Sequence, residues 1–191
     1  MKALHPTPYP DVNALLQDLL ARIQAILGSH LIGFYLDGSL TGDAFDEASD
    51  IDFIAVTDEE VSGEVFLDLQ AMHDTLATLG SPWAIQLEGS YISQHALRRY
   101  DPAHAAHPNL ERGPGERLKM VHHGAAWIIH QSIVRERGIL LSGPPPHTLI
   151  DPVSPADLRG AMLSMLPGWV TLILRQPAQI QSRGYQSYIV L

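Results

Sequence analysis

Two periods of apolar residues alternate along the chain, one typical of helices and the other of buried strands. Over residues 11–28 the apolar side chains recur every three or four positions, which predicts an amphipathic helix. The same spacing predicts helices over 62–79 and 117–137. A further helix is predicted to start at Ser154, because serine caps helices and Asp157 follows three positions later.

Short apolar runs between these helices predict strands. Residues 31–36, 50–57 and 83–92 combine aliphatic and aromatic side chains and are bounded by turn residues. Residues 100–116 contain prolines and glycines without any period, so this segment is predicted to be a loop. The pattern therefore predicts strands interleaved with helices, and a long irregular connection in the middle of the chain.

Composition and charge exclude several classes of function. The 191 residues include no cysteine, which excludes disulfides, thiolate zinc sites and cysteine nucleophiles. No apolar run reaches the length that spans a bilayer, and the N-terminus lacks a signal-peptide stretch, so we expect a cytoplasmic protein without membrane contact. The formal net charge of −9 disfavours a nucleic-acid surface. It would favour a cationic substrate, although solubility alone also explains an acidic chain.

The candidate chemistry lies between the first two predicted strands. Gly38 and Ser39 follow the first strand, and Asp50 and Asp52 begin the second, two positions apart and therefore on one face. Paired carboxylates suit Mg²⁺, while a glycine turn with a hydroxyl and backbone amides suits a triphosphate. Nucleotidyl transfer needs this combination, since it depends on charge neutralisation and alignment. The alternative is an ordinary turn followed by solvated acids.

This order and spacing resemble the DNA polymerase β-like nucleotidyltransferase superfamily. Residues 34–39 and 49–53, together with 135–144, look more narrowly like the streptomycin/spectinomycin adenylyltransferases, which modify aminoglycosides. The resemblance implies an α/β (α+β) nucleotidyltransferase fold, with a small mixed sheet flanked by helices. It also implies a catalytic domain over 1–150, followed over 151–191 by the beginning of a helical substrate-binding domain that is cut short.

The resemblance also implies roles for particular residues. Asp50 and Asp52 hold Mg²⁺, Gly38 and Ser39 bind the nucleotide, ATP is the co-substrate, and the third acidic residue of the family is the general base. Glu88 is the candidate for that third position; it could instead complete the metal coordination or be a surface carboxylate. The implied acceptor is a small polyhydroxylated molecule such as an aminoglycoside. Residues 100–116 lack the tryptophan that the streptomycin/spectinomycin enzymes use for drug contact, and in this the chain departs from the pattern of that family.

Two other functions fit the same motifs. One is a protein adenylyltransferase of the toxin–antitoxin type, although those enzymes usually lack a segment corresponding to residues from 117 onward. The other is a non-catalytic nucleotide-binding module. His123 and His130 lie two helical turns apart in the predicted helix, but no further ligand completes a zinc site there. Trp127 is predicted to be a core residue, because its helical spacing explains it.

Overall fold

The predicted strands assemble into one mixed sheet in the computed structural model, which describes residues 6–42, 45–46 and 49–175. The sheet has six strands in the order β5-β4-β3-β2-β1-β6. Their bounds are β1 Leu31–Leu36, β2 Ile51–Thr57, β3 Leu87–Ser93, β4 Ala106–Leu110, β5 Lys119–His122 and β6 Ile139–Ser142. β2 and β3 run parallel, whereas the other neighbouring strands are antiparallel.

Helices cover both faces of this sheet. They are α1 Pro10–Leu27, α2 Gly63–Ala77, α3 Gln94–Arg98, α4 Trp127–Arg137 and α5 Pro155–Arg175. None of the helices within the described ranges is long and apolar enough to cross a membrane.

Alternation along the strands divides the interior into two cores. On one face, Phe34 and Phe53 pack in the cluster that contains the buried side chains of α1 and α2. On the other face, Ile54 and Ile92 pack in the cluster that contains Leu97 of α3 and the α4 side chains. Because successive side chains of a strand point to opposite faces, Asp52 and Glu88 share the α3/α4 face.

Several sequence predictions are confirmed by these bounds. The helices predicted over 11–28 and 62–79 are α1 and α2, and the strand predicted over 31–36 is β1. The helix predicted from Ser154 is α5, where the Asp157 amide donates a hydrogen bond to the Ser154 hydroxyl over 3.1 Å. Residues 176–191 of the predicted second domain lie outside the described residues, and the division at residue 150 stays a prediction.

Three predictions about the middle of the chain are wrong. Residues 106–110 of the predicted loop form β4, and the predicted 117–137 helix begins only at Trp127, after β5. The strand predicted from residue 83 begins at Leu87, after a short 3₁₀ turn. β4 and β5 are defined by pairing with β3 and with each other, and this tertiary pairing overrides the weak local pattern.

A buried histidine on the α1/α2 face makes stability depend on pH. His73 is 4% exposed, bonds to the Tyr91 hydroxyl over 2.7 Å, and has its pKa lowered to about 4 by burial. As the pH falls below about 6.5, His73 therefore takes up a proton in the unfolded chain, whereas it stays neutral in the folded protein until the pH approaches 4. We expect His73→Gln to reduce the slope of unfolding free energy against pH, between pH 6 and 4.5, by about 1 kcal/mol per pH unit.

Denaturant titrations at several pH values measure this slope. Tyr91→Phe is the matched control, because it removes the hydrogen-bond partner and no group that titrates in this range. It should lower stability by a similar amount at every pH. An unchanged slope in His73→Gln would show that His73 is not the group that links unfolding to protonation.

Candidate active site

The turn after β1 lies directly over the start of β2. The amide of Asp37 donates a hydrogen bond to the carbonyl of Asp52 over 3.1 Å, and residues Gly38–Thr41 then form one 3₁₀ turn. Within this turn, the Thr41 hydroxyl donates a hydrogen bond to the Gly38 carbonyl over 2.8 Å. The two motifs that are separated in sequence are therefore in direct contact.

Gly38 is required at this contact for two reasons. Its φ of 61° lies in the left-handed region that glycine adopts readily. A Cβ placed on it would also overlap the Oδ2 atom of Asp52. The absence of a side chain thus lets the turn approach the carboxylate.

We expect Gly38→Ala to destabilise the protein by about 1–3 kcal/mol, since an alanine would combine backbone strain with a clash against Asp52. Thermal unfolding measures the loss. Gly42→Ala is the matched control in the same turn, because Gly42 has a φ of −141° and its added Cβ meets no atom of the described chain within 4 Å. Equal melting temperatures for the two variants would contradict the close packing of Gly38 on Asp52.

The three predicted carboxylates converge beneath this turn. Asp52 of β2 lies opposite Glu88 of β3 in the parallel register, and Asp50 precedes β2 by one residue. One carboxylate oxygen from each of the three residues lies within 4.8 Å of the other two. The structure therefore brings together Asp50, Asp52 and Glu88, although their roles remain predictions.

Their proximity makes the cluster electrostatically unfavourable. Burial raises the pKa of Asp52 well above its ordinary value, and the charges of Asp50, Glu88 and Asp37 raise it further. Burial, followed by the charge of Asp50, also raises the pKa of Glu88. Arg112 opposes both shifts and lies with its Nη1 atom 3.2 Å from Oδ2 of Asp50. A bound cation would relieve the same repulsion.

The donor set fits a hard divalent cation and a phosphate group. Three carboxylates offer the oxygen ligands that Mg²⁺ takes, with room for further oxygens from a nucleotide. Ser39 is 7% exposed, and its hydroxyl has no hydrogen-bond partner within the described part of the chain. A buried hydroxyl that lacks a partner is costly, so its position favours a ligand that can satisfy it.

Two further features of the site were not assigned from the sequence. Asp37 is 3% exposed, and its Oδ2 lies 3.3 Å from Nδ1 of His130, whose ring stacks on Trp127 with 5.2 Å between centroids. Trp127 is buried as predicted. Arg112 belongs to the segment predicted as a loop. In the sequence, the one signal for a role of Asp37 is its position next to Gly38, and no comparable signal marks Arg112.

No family model and no curated protein matches the sequence. Among solved structures, the spectinomycin adenyltransferase AAD(9) from Enterococcus faecialis, determined with ATP and spectinomycin, is similar to this chain with a TM-score of 0.65. The match covers 85% of this chain and 69% of that one at 15% sequence identity. The expected nucleotidyltransferase fold, with its mixed sheet flanked by helices, is thereby confirmed.

Proposed function

We propose that this protein is a magnesium-dependent adenylyltransferase, which transfers AMP from ATP to a hydroxyl group of a small polyhydroxylated molecule and releases pyrophosphate. The observation that carries the proposal is the convergence of Asp50, Asp52 and Glu88 beneath the Gly38 turn, within a nucleotidyltransferase fold. A cytoplasmic location would supply the ATP.

The carboxylates and the Gly38 turn have separate roles in this reaction. Asp50 and Asp52 would hold Mg²⁺, which neutralises phosphate charge and orients the phosphate oxygens when bound. The Gly38 turn and the Ser39 hydroxyl bind the triphosphate. Glu88 accepts the proton of the acceptor hydroxyl, whose oxygen forms a bond to the α-phosphorus while the bond from that phosphorus to the bridging oxygen of pyrophosphate breaks.

We propose an aminoglycoside or a related cationic, polyhydroxylated antibiotic as the acceptor, so that the reaction would confer resistance. The net charge of −9 favours approach of a cation, and buried Asp37 adds negative charge next to the triad. The similar enzyme was determined with spectinomycin. These observations support a cationic, polyhydroxylated class of acceptor.

Transfer of labelled AMP tests the proposal. Wild-type protein is incubated with Mg²⁺ and α-labelled ATP, together with a panel of aminoglycosides, spectinomycin and candidate proteins. We expect the label on a small molecule, equimolar pyrophosphate, and no transfer in EDTA. Labelling of protein alone would favour the protein adenylyltransferase, and ATP binding without any transfer would favour the non-catalytic module.

A further inference from the structure

Arg112 places a guanidinium group at the carboxylate triad. It follows β4 by two residues, and its Nη1 lies 3.2 Å from Oδ2 of Asp50. Both side chains are partly buried, so water screens their interaction only in part. Asp50 is also one of the three residues whose oxygens could hold a metal ion. Asp50 is therefore both the ion-pair partner of Arg112 and a ligand of the proposed metal ion.

The charge of Arg112 acts on the whole triad. It reaches Asp52 and Glu88 as well as Asp50, because one carboxylate oxygen from each of the three residues lies within 4.8 Å of the other two. A divalent cation among the same oxygens would perform this neutralisation more strongly, because it carries two charges. Two cations of like charge beside one carboxylate repel each other, so metal binding and the Arg112 ion pair oppose each other.

The backbone around Arg112 is anchored. The amide of Gly113 donates a hydrogen bond to the Ile85 carbonyl over 2.8 Å. Further along, Lys119 pairs with Glu111 over 3.2 Å, and Arg117 pairs with Asp74 of α2 over 2.6 Å. The Gly113 amide and Arg117 thus connect this segment to Ile85 and to α2, whereas the Lys119–Glu111 pair joins it to β5. Because the Arg112 side chain has several rotatable bonds, its guanidinium can leave Asp50 while the connection stays in place.

We propose that Arg112 competes with the metal ion for Asp50: its guanidinium stabilises the triad before the metal binds, and it leaves the carboxylate when the metal arrives. This inference rests on the metal site of the proposed function. Arg112 then sets the metal affinity, since every binding event replaces one ion pair by another. It acts through Asp50 and is a positioning residue rather than a catalytic one.

Calorimetric titration of nucleotide-free protein with Mn²⁺, as a probe for Mg²⁺, tests the competition. We expect Arg112→Gln to lower the Mn²⁺ dissociation constant about tenfold, which corresponds to about 1.4 kcal/mol. Arg112→Lys keeps the charge and should stay near wild type. Arg117→Gln is the matched control, because Arg117 belongs to the same connection but pairs with Asp74. Weaker or unchanged Mn²⁺ binding in Arg112→Gln would overturn the inference.

Thermal unfolding gives a second readout that needs no activity. In EDTA, Arg112→Gln should melt about 2–4 °C below wild type, because the triad has lost its neighbouring cation. Saturating Mn²⁺ should close this gap; a gap that persists would show a structural role unrelated to the metal. Arg112→Met, which keeps the side-chain length, repeats both measurements if the glutamine variant folds poorly.

Mn²⁺ binding by Asp52→Asn separates the metal site itself from its competition with Arg112. If Mn²⁺ binds wild type and Asp52→Asn abolishes that binding, the metal site stands, and only the Arg112 variants decide the competition. Wild-type protein that binds no Mn²⁺, or binds it equally well after Asp52→Asn, overturns both.

Discussion

Asp52→Asn is expected to lower the rate of AMP transfer at least about a thousandfold while the protein stays folded. Asparagine has the shape of aspartate, and the backbone carbonyl that accepts the Asp37 amide is unchanged. The substitution removes a negatively charged oxygen from the proposed metal site beneath the Gly38 turn. Alignment of the triphosphate depends on that charge, so the loss should appear in kcat more than in folding.

Asp52→Asn should lower activity but raise the free energy of unfolding. Burial and three neighbouring carboxylates raise the pKa of Asp52, so its ionisation costs more in the folded protein than in the unfolded chain. The stability associated with its neutral form is present at low pH and is lost as the pH rises above about 3.8 and through the raised pKa. In EDTA at pH 8, Asp52→Asn should therefore be more stable than wild type, and the difference should shrink as the pH falls.

Denaturant titration and steady-state kinetics together separate the two effects. Asp68→Asn, on an exposed position of α2, is the matched control and should change neither. Turnover of Asp52→Asn that equals wild type would remove the metal role from this residue. Lower stability of Asp52→Asn than of wild type in EDTA at pH 8 would contradict the raised pKa of Asp52.

The candidate motif could be predicted because it is local. Asp50 and Asp52 are two positions apart at a strand start, and this spacing alone places them on one face. Gly38 and Ser39 follow an apolar strand that periodicity identifies. The convergence of Glu88 with this pair depends on the parallel register of β2 and β3, which no local pattern specifies. The resemblance to a known family supplied that position.

The segment predicted as a loop contains β4, whose conformation depends on pairing with other strands and not on its local sequence. β4 contains Pro108, which cannot donate a backbone hydrogen bond, and Asn109, whose amide bonds to Gly89 and Ser90 of β3. Neither residue type favours strands, so pairing with two neighbours determines the conformation. The position of Arg112 follows from that pairing and was therefore not predictable either. Likewise, His130 contacts Asp37 only because α4 packs across the sheet.

Glu88→Gln is expected to reduce kcat by about a thousandfold, because a glutamine cannot accept the proton of the acceptor hydroxyl. Glu88 lies opposite Asp52 on β3, and its pKa is raised by burial and then by Asp50, which makes its carboxylate a better proton acceptor than an ordinary glutamate. The substitution preserves the size of the side chain and one accepting oxygen, while it replaces the second oxygen by a donating NH₂ group. Quenched transfer assays under saturating Mg²⁺ and ATP measure the loss.

Metal affinity decides whether Glu88 acts as a base or as a ligand. For a base, Glu88→Gln should raise the Mn²⁺ dissociation constant only about tenfold, because one negative charge is lost within 4.8 Å of the other carboxylates, whereas loss of a ligand should raise it by about a hundredfold or more. Glu64→Gln, in the exposed first turn of α2, is the matched control. Full activity of Glu88→Gln would exclude both roles. Loss of activity together with loss of Mn²⁺ would assign Glu88 to the metal, leaving the proton of the acceptor hydroxyl to another group.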